Sequence, residues 1–340
     1  MDMMNKIKFI LLFLLFISCA GCLKAFVVSS FDKEQDQSPF TIDKEYFSIV
    51  LLPDTQEYTR WSSRTKHFKN QVDWIVSSEK KHNIKFVLQA GDLVWDSWIE
   101  QQWIRASESL SILDNNNIPY IINVGNHDLD GRSVFFKNRG NTNYDKYFPA
   151  SRYENKNWYG GRMKQESNDN YWVFFNYKDT KFIVISIEFG ANDETLNWAD
   201  SIAKNNLDAK VIILTHCYMD LGSNRVNPTT LLNPHGFNLG DANDGNQIWN
   251  KLVKKNKNIF MVLSGHIAGE GRSESIGEHN NRVHEILANY QTYRNGGDGW
   301  LRLLRFVPSE NKIYVDTYSP SLNKWRYDDR GSFVLDFEMN

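Results

Sequence analysis

Polar residues able to hold a cation recur in one setting along this chain, each just after a short apolar run. Asp54 and Gln56 follow YFSIVLL, Asp92 follows IKFVLQA, and Asn126, His127 and Asp128 follow IPYIINV. His216 follows AKVIILT and His266 follows NIFMVLS. Taken singly, Asp and Asn at such places are ordinary turn and cap residues, and a lone His is more often packed or solvated than a ligand. Repetition at every core run points to one shared site. Carboxylate and carboxamide oxygens with imidazole nitrogens, and no set of thiols, suit Mn, Fe or Zn rather than a structural thiolate zinc centre.

The runs that must position these residues are short, continuous and apolar, as strands buried on both faces are. Between them lie segments with helical spacing, such as Phe68, Val72, Ile75 and Val76, and Trp103, Ile104, Leu110 and Leu113. Alternation of buried strands with helices predicts a mostly parallel, covered sheet, whose strand carboxyl ends share one rim. NYWVFFNYKDTKFIVISIEFG reads as a hairpin turning near Lys178 to Thr180. The strand-rich C-terminal part, with GWLRLLRFVP, NKIYVDTYSP and GSFVLDFE, predicts a second, more antiparallel sheet stacked on the first. No internal repeat or long linker divides residues 44–340, which read as one domain.

With 39 basic and 41 acidic residues among 340, no strong field gathers nucleic acid or an anionic membrane, so an anionic substrate must be held locally. A nucleic acid partner is therefore not expected. Ahead of the domain, Lys6 and Lys8 precede an uncharged run from Phe9 to Ile17 and then small residues, the pattern of a secretory signal over residues 1–21. Two readings of its end stand. Ala20, Gly21 and Cys22 resemble a bacterial lipoprotein box, which would attach the protein to a membrane through a lipidated Cys22, although Cys19 occupies the place of the usual branched residue. The other is an ordinary signal peptide. A polar tether over residues 22–43 then leads to the domain, and Cys217 is the remaining thiol. Export as a periplasmic, surface-bound or secreted protein is the expectation.

The ordered set PDTQ, GD, GNHD, H and GH resembles the calcineurin-like metallophosphoesterases, over Ile49 to His266, in a form similar to exported proteins with an LPDTQ motif. The resemblance implies an α/β fold: a four-layer α/β/β/α sandwich of two stacked mixed sheets flanked by helices. It implies two divalent ions, with Asp54 and Gln56 on the first, Asp92 bridging both, and Asn126, His216 and His266 on the second. It implies that His127 meets the phosphate and acts as an acid, with Asp128 orienting its ring. Two departures fall on the first ion: Gln56 stands where the family has His, and Ala268 stands at the last His. That ion should be held less tightly. Glu270 reads either as a replacement ligand or as a solvated loop carboxylate, and His235 as a residue of the substrate entrance. Gly296, Gly297 and Gly299 read as a turn in preference to a close approach to ligand, and Trp61, Trp95 and Trp98 as helix packing in preference to a substrate wall.

The reaction so implied is hydrolysis of a phosphomonoester or phosphodiester, from a small molecule or a surface polymer, by a metal-bridged hydroxide. Two alternatives stand beside it: a degenerate, non-catalytic surface binding protein with one metal, and an exported nuclease.

Overall fold

The computed structural model describes residues 34–35, 37–133, 135–140 and 142–339. The expected signal, Cys19, Cys22 and most of the expected tether lie outside them. Fifteen strands are present among the described residues. They are β1 (Glu34–Gln35), β2 (Phe47–Leu52), β3 (Ile84–Gln89), β4 (Tyr120–Ile122), β5 (Tyr159–Arg162), β6 (Tyr171–Tyr177), β7 (Thr180–Ile187) and β8 (Lys210–Thr215). β9 (Ile259–Ser264), β10 (Gly269–Ile276), β11 (Arg282–Asn289), β12 (Leu301–Val307), β13 (Lys312–Ser319), β14 (Lys324–Arg326) and β15 (Phe333–Asp336) follow. The helices are α1 (Gln56–Arg60), α2 (Thr65–His82), α3 (Glu100–Asn115), α4 (Thr142–Tyr147), α5 (Asp193–Lys204) and α6 (Gly245–Lys251). None of these helices is long and apolar enough to cross a membrane.

Two mixed sheets result. The first runs β1-β14-β13-β12-β2-β3-β4 with β15 on β13, and the second runs β10-β11-β9-β8-β7-β6-β5. β2, β3 and β4 are mutually parallel, as are β7, β8, β9 and β11. The hairpin forms where expected, with Tyr177 opposite Thr180 and Lys178 at φ 52 in its turn.

One expectation needs correction. The five apolar runs do not share a sheet: β2, β3 and β4 belong to the first and β8 and β9 to the second. Nor do the C-terminal strands form a sheet of their own. β12 pairs antiparallel with β2 and β13 with β12, so they extend the first sheet on the side away from β4. In the second sheet the parallel strands lie between antiparallel ones, whereas in the first they form one flank, with β4 at the edge.

Side-chain alternation shows how the layers stack. Phe182 and Val184 of β7, with Ile212 and Leu214 of β8, join the core that contains the first sheet. Their neighbours Ile183, Ile185, Val211 and Ile213 pack instead with Leu196, Ala199 and Ala203 of α5 and Ile248 of α6. Rings seal the inter-sheet space: Phe47 lies 5.9 Å from Phe175 and 5.1 Å from Phe182. On the far side, α2 buries Phe68, Val72 and Ile75 and α3 buries Trp103, Ala106 and Leu110. Helix α2 ends where Asn83 takes a left-handed conformation and donates its N–H to the Glu79 and Lys80 carbonyls, with Lys80, Lys81 and His82 favourably placed against the helix dipole.

Candidate metal centre

The ends of β2, β3, β4, β8 and β9 meet at one rim. The Thr55 N–H donates to the Asp92 carbonyl (3.1 Å), the Gly265 N–H to the His216 carbonyl (3.0 Å), and the Phe189 N–H to the Val124 carbonyl (2.8 Å). Such approach needs small residues. A Cβ on Gly125 would stand 2.2 Å from Asp92 Oδ1, and one on Gly265 would stand 2.2 Å from Asp54 Oδ1. Asp92 and His266 have φ values of 52° and 66°, a left-handed region that costs non-glycine residues free energy and clusters at functional sites.

Asp92, His216 and His266 form the centre, each offering one ligand atom within 4.8 Å of the others, all buried. Carbonyls, which only accept, select the tautomers. His216 Nδ1 donates to Ala90 O (2.7 Å), leaving the Nε2 lone pair facing Asp92 Oδ2 at 3.1 Å. His266 Nε2 donates to Leu232 O (2.8 Å), leaving Nδ1. Metal-binding imidazoles are commonly oriented in this way. Asn126 lies beside this group, 2% exposed, in the turn whose next residue donates its N–H to Asp92 Oδ1 (2.9 Å).

Asp54 and Gln56, each 1% exposed, flank the other side. Asp54 accepts from the His266 N–H (3.2 Å) and from Asn289 Nδ2 (2.7 Å). Ala268, half-buried, brings no ligand atom.

Four buried atoms decide whether these residues fit a cation: Gln56 Oε1, Asp92 Oδ2, Asn126 Oδ1 and His216 Nε2 meet no hydrogen-bond partner. With His216 neutral, all four are buried lone-pair donors on residues of this rim. Buried polar atoms are costly when unpaired, and a divalent ion is what such a set satisfies. The residues fit the group.

The charged groups act on one another, and a proton on His216 Nε2 would bridge to Asp92 Oδ2, the place a cation would take. Burial, with Asp92 nearby, pushes Asp54 well above the usual carboxylate range. Burial opposes charge on His216, but Asp92 and Asp54 outweigh it and lift its pKa to about 9. His266 is pushed down to about 3 by burial and by His216. Burial also opposes charge on Asp92, yet His216 and His127 hold it below its ordinary value.

The His127 ring is held by a different partner from the one expected. Its Nδ1 donates to the Trp95 carbonyl (2.6 Å) and its ring lies 5.0 Å from the Trp95 indole. Asp128 does not orient it, because the Asp128 carboxylate is taken by the Val94 N–H (3.1 Å) and the Gly125 N–H (2.9 Å). Asp128 instead ties the third loop to the second. Burial and Asp92 push its pKa to about 7.

Glu270 is also corrected. It bonds Arg302 (2.7 Å), Arg326 and Tyr290 (3.0 Å), and none of the candidate ligands, in a buried cluster joining β10 to β12 and β14. His235 pairs with Asp244 (3.0 Å) on the loop that supplies Leu232 O, and its side chain is one-third exposed. Trp61 and Trp98 are 48% and 39% exposed, so they are not helix packing. Arg60 stacks on Trp95 at 4.1 Å.

Sequence reasoning missed Asn289 and Gln291, which bond Asp54 and Gln56. The signal was HEILANYQ, a strand ending in amides. It also missed Lys137, whose ammonium is 3.5 Å from the Leu129 and Gly131 carbonyls in a buried position.

Residues 47–302 match the calcineurin-like phosphoesterase family. "Uncharacterized protein YvnB" of Bacillus subtilis (strain 168) is 32% identical over 305 residues, 88% of this chain; the chain spans 22% of that relative's length. Purple acid phosphatase PPD1 from yellow lupin (Lupinus luteus) superposes with a TM-score of 0.53 at 13% identity, over 88% of this chain and 55% of that one. A dimetal phosphatase from Danio rerio gives 0.51 at 11% identity, over 86% and 99%. At these identities the solved structures speak for the fold.

Proposed function

Since the chain belongs to the calcineurin-like phosphoesterase family, we propose that it hydrolyses a phosphate ester with two divalent ions held at this rim. The observation that carries the reading is the set of four buried, unpartnered lone-pair atoms on Gln56, Asp92, Asn126 and His216 at this rim. Asp54, Gln56 and Asp92 would hold the first ion; Asp92, Asn126, His216 and His266 would hold the second. When bound, such ions act as Lewis acids, lowering the pKa of water and neutralising phosphoryl charge.

The chain's own groups do the rest. Because the Trp95 carbonyl takes Nδ1 of His127, Nε2 is left to face a phosphoryl or leaving oxygen. Burial resists the imidazolium, while Asp92 and the Trp95 carbonyl favour it, so the ring has a counterweight for carrying a proton to the leaving group. Asp128 holds the turn that carries Asn126 and His127 against the loop of Asp92.

The decisive experiment combines metal analysis with hydrolysis of an aryl phosphate. Two equivalents with turnover is the expected result. One observation favours a second reading, a non-catalytic binding protein with a single metal: Ala268 strips the first position, and the buried His and carboxylate cluster lies at the second. One equivalent without turnover would select it. The proposal extends to export, supported by the signal pattern of residues 1–22, with a phosphate-ester small molecule or surface polymer as substrate and membrane attachment wherever Cys22 is lipidated.

A further inference from the structure

We infer that Gln291, braced by Asn289 at the end of β11, is a positioning residue that turns the carboxamide oxygen of Gln56 toward the first ion. The inference rests on the metal reading above. A carboxamide has two unlike ends, and only its oxygen binds a hard cation. An imidazole in the same place presents one lone pair whose side is set by its tautomer. A glutamine needs a partner that decides which end faces the ion.

Gln291 fills that need. Its Oε1 accepts from Gln56 Nε2. An acceptor there draws the amine end of Gln56 to itself and leaves Gln56 Oε1 buried with no donor. Gln291 is held in turn: its backbone N–H donates to Asn289 Oδ1 (3.0 Å). Asn289 is fully buried and spends its Nδ2 on Asp54 Oδ2 (2.7 Å) and the His266 carbonyl (3.1 Å). One strand end therefore grips both protein residues that serve the first ion alone, Asp54 and Gln56. Ala268 offers nothing there, so the first position depends on this grip more than a site with a further imidazole would.

The test is calorimetric metal titration, with Mn2+ as probe, of the full chain and its Gln291→Met, Gln291→Glu and Gln56→Glu variants. Gln291→Met keeps the length but removes the acceptor, and should weaken one of the two ions by roughly 10–100-fold while leaving the other unchanged. Gln291→Glu accepts only, and should retain both. With Glu at position 56 both ends are oxygens, so orientation ceases to matter and adding Gln291→Met should have little further effect. Melting of the metal-free variants checks the fold, and if Gln291→Met does not fold, the comparison of Gln291→Glu with wild type still decides. Gln291→Met binding both ions as tightly as wild type, Gln291→Glu losing one, or an undiminished Met effect in the Gln56→Glu background would each overturn the inference. A wild-type chain that takes up fewer than two ions would instead sink the two-ion reading, and this inference with it.

Discussion

Replacing Glu270 with Gln separates a structural carboxylate from a metal ligand. Glu270, Arg302 and Arg326 have side chains 2%, 1% and 3% exposed, and the carboxylate joins a strand of the second sheet to two strands of the first. The variant keeps the shape but removes the one negative charge that both guanidinium groups contact directly. Breaking a buried pair costs about 3–5 kcal/mol, chiefly because the partner's charge stays buried without compensation. Asp328 still pairs with Arg326 (2.7 Å), so the uncompensated charge falls mainly on Arg302. Two of its atoms, Nε and Nη1, already lack partners. The expected loss is therefore about 3–5 kcal/mol, seen as a fall of roughly 10 °C in melting temperature. Chemical denaturation and metal analysis are run on the same sample. Stability should drop while bound metal per folded molecule stays at the wild-type value. A loss under about 1 kcal/mol, or a loss of metal without a loss of stability, refutes the reasoning and returns Glu270 to the ligand set.

Three further outcomes are expected. His127→Ala should cut turnover by at least the roughly 100-fold typical of a lost proton donor while bound metal stays nearly constant; loss of metal in that variant would contradict the role given to the ring. Gly125→Ala should lose bound metal and activity together, because the new Cβ would stand 2.3 Å from the backbone nitrogen of Asp92, and backbone cannot swing aside; normal metal content would show that the loops yield. Glu188 should make stability fall as pH rises from about 4.5 to about 7, because burial, with Asp169 adding and Arg139 opposing, lifts its pKa to about 7 and the unfolded chain gives up its proton first. Below that window the penalty is absent; across it the loss reaches about 3 kcal/mol at most. Denaturation of wild type and Glu188→Gln at several pH values should show a shallower fall in the variant, because Asp54 and Asp128 keep their own raised pKa values in both.

The strands were legible because apolar runs such as IVLL and VIIL leave no polar face for water. Their allotment to two sheets was not, since a run buried on both faces carries no mark of its partner. β12 could have bordered either sheet on its pattern alone; pairing of Leu304 with Ile49 is a nonlocal fact. The rim residues were legible because Asp54, Asp92, Asn126, His216 and His266 each interrupt an apolar run with a side chain able to bind a cation. What oriented them was not. His127, His216 and His266 are aimed by the carbonyls of Trp95, Ala90 and Leu232, and a backbone oxygen has no letter in the sequence. Glu270 misled through nearness along the chain: the strand that follows His266 carries its carboxylate to the arginines of the opposite sheet.

The candidate ligands are drawn from both layers of the sandwich, with Asp54, Asp92 and Asn126 following strands of one sheet and His216 and His266 following strands of the other. Any ion seated among them works as a rivet through two plates. Stripping it should let the plates slip and splay at that rim first, so protease nicks and amide exchange would report occupancy long before the whole molecule came apart.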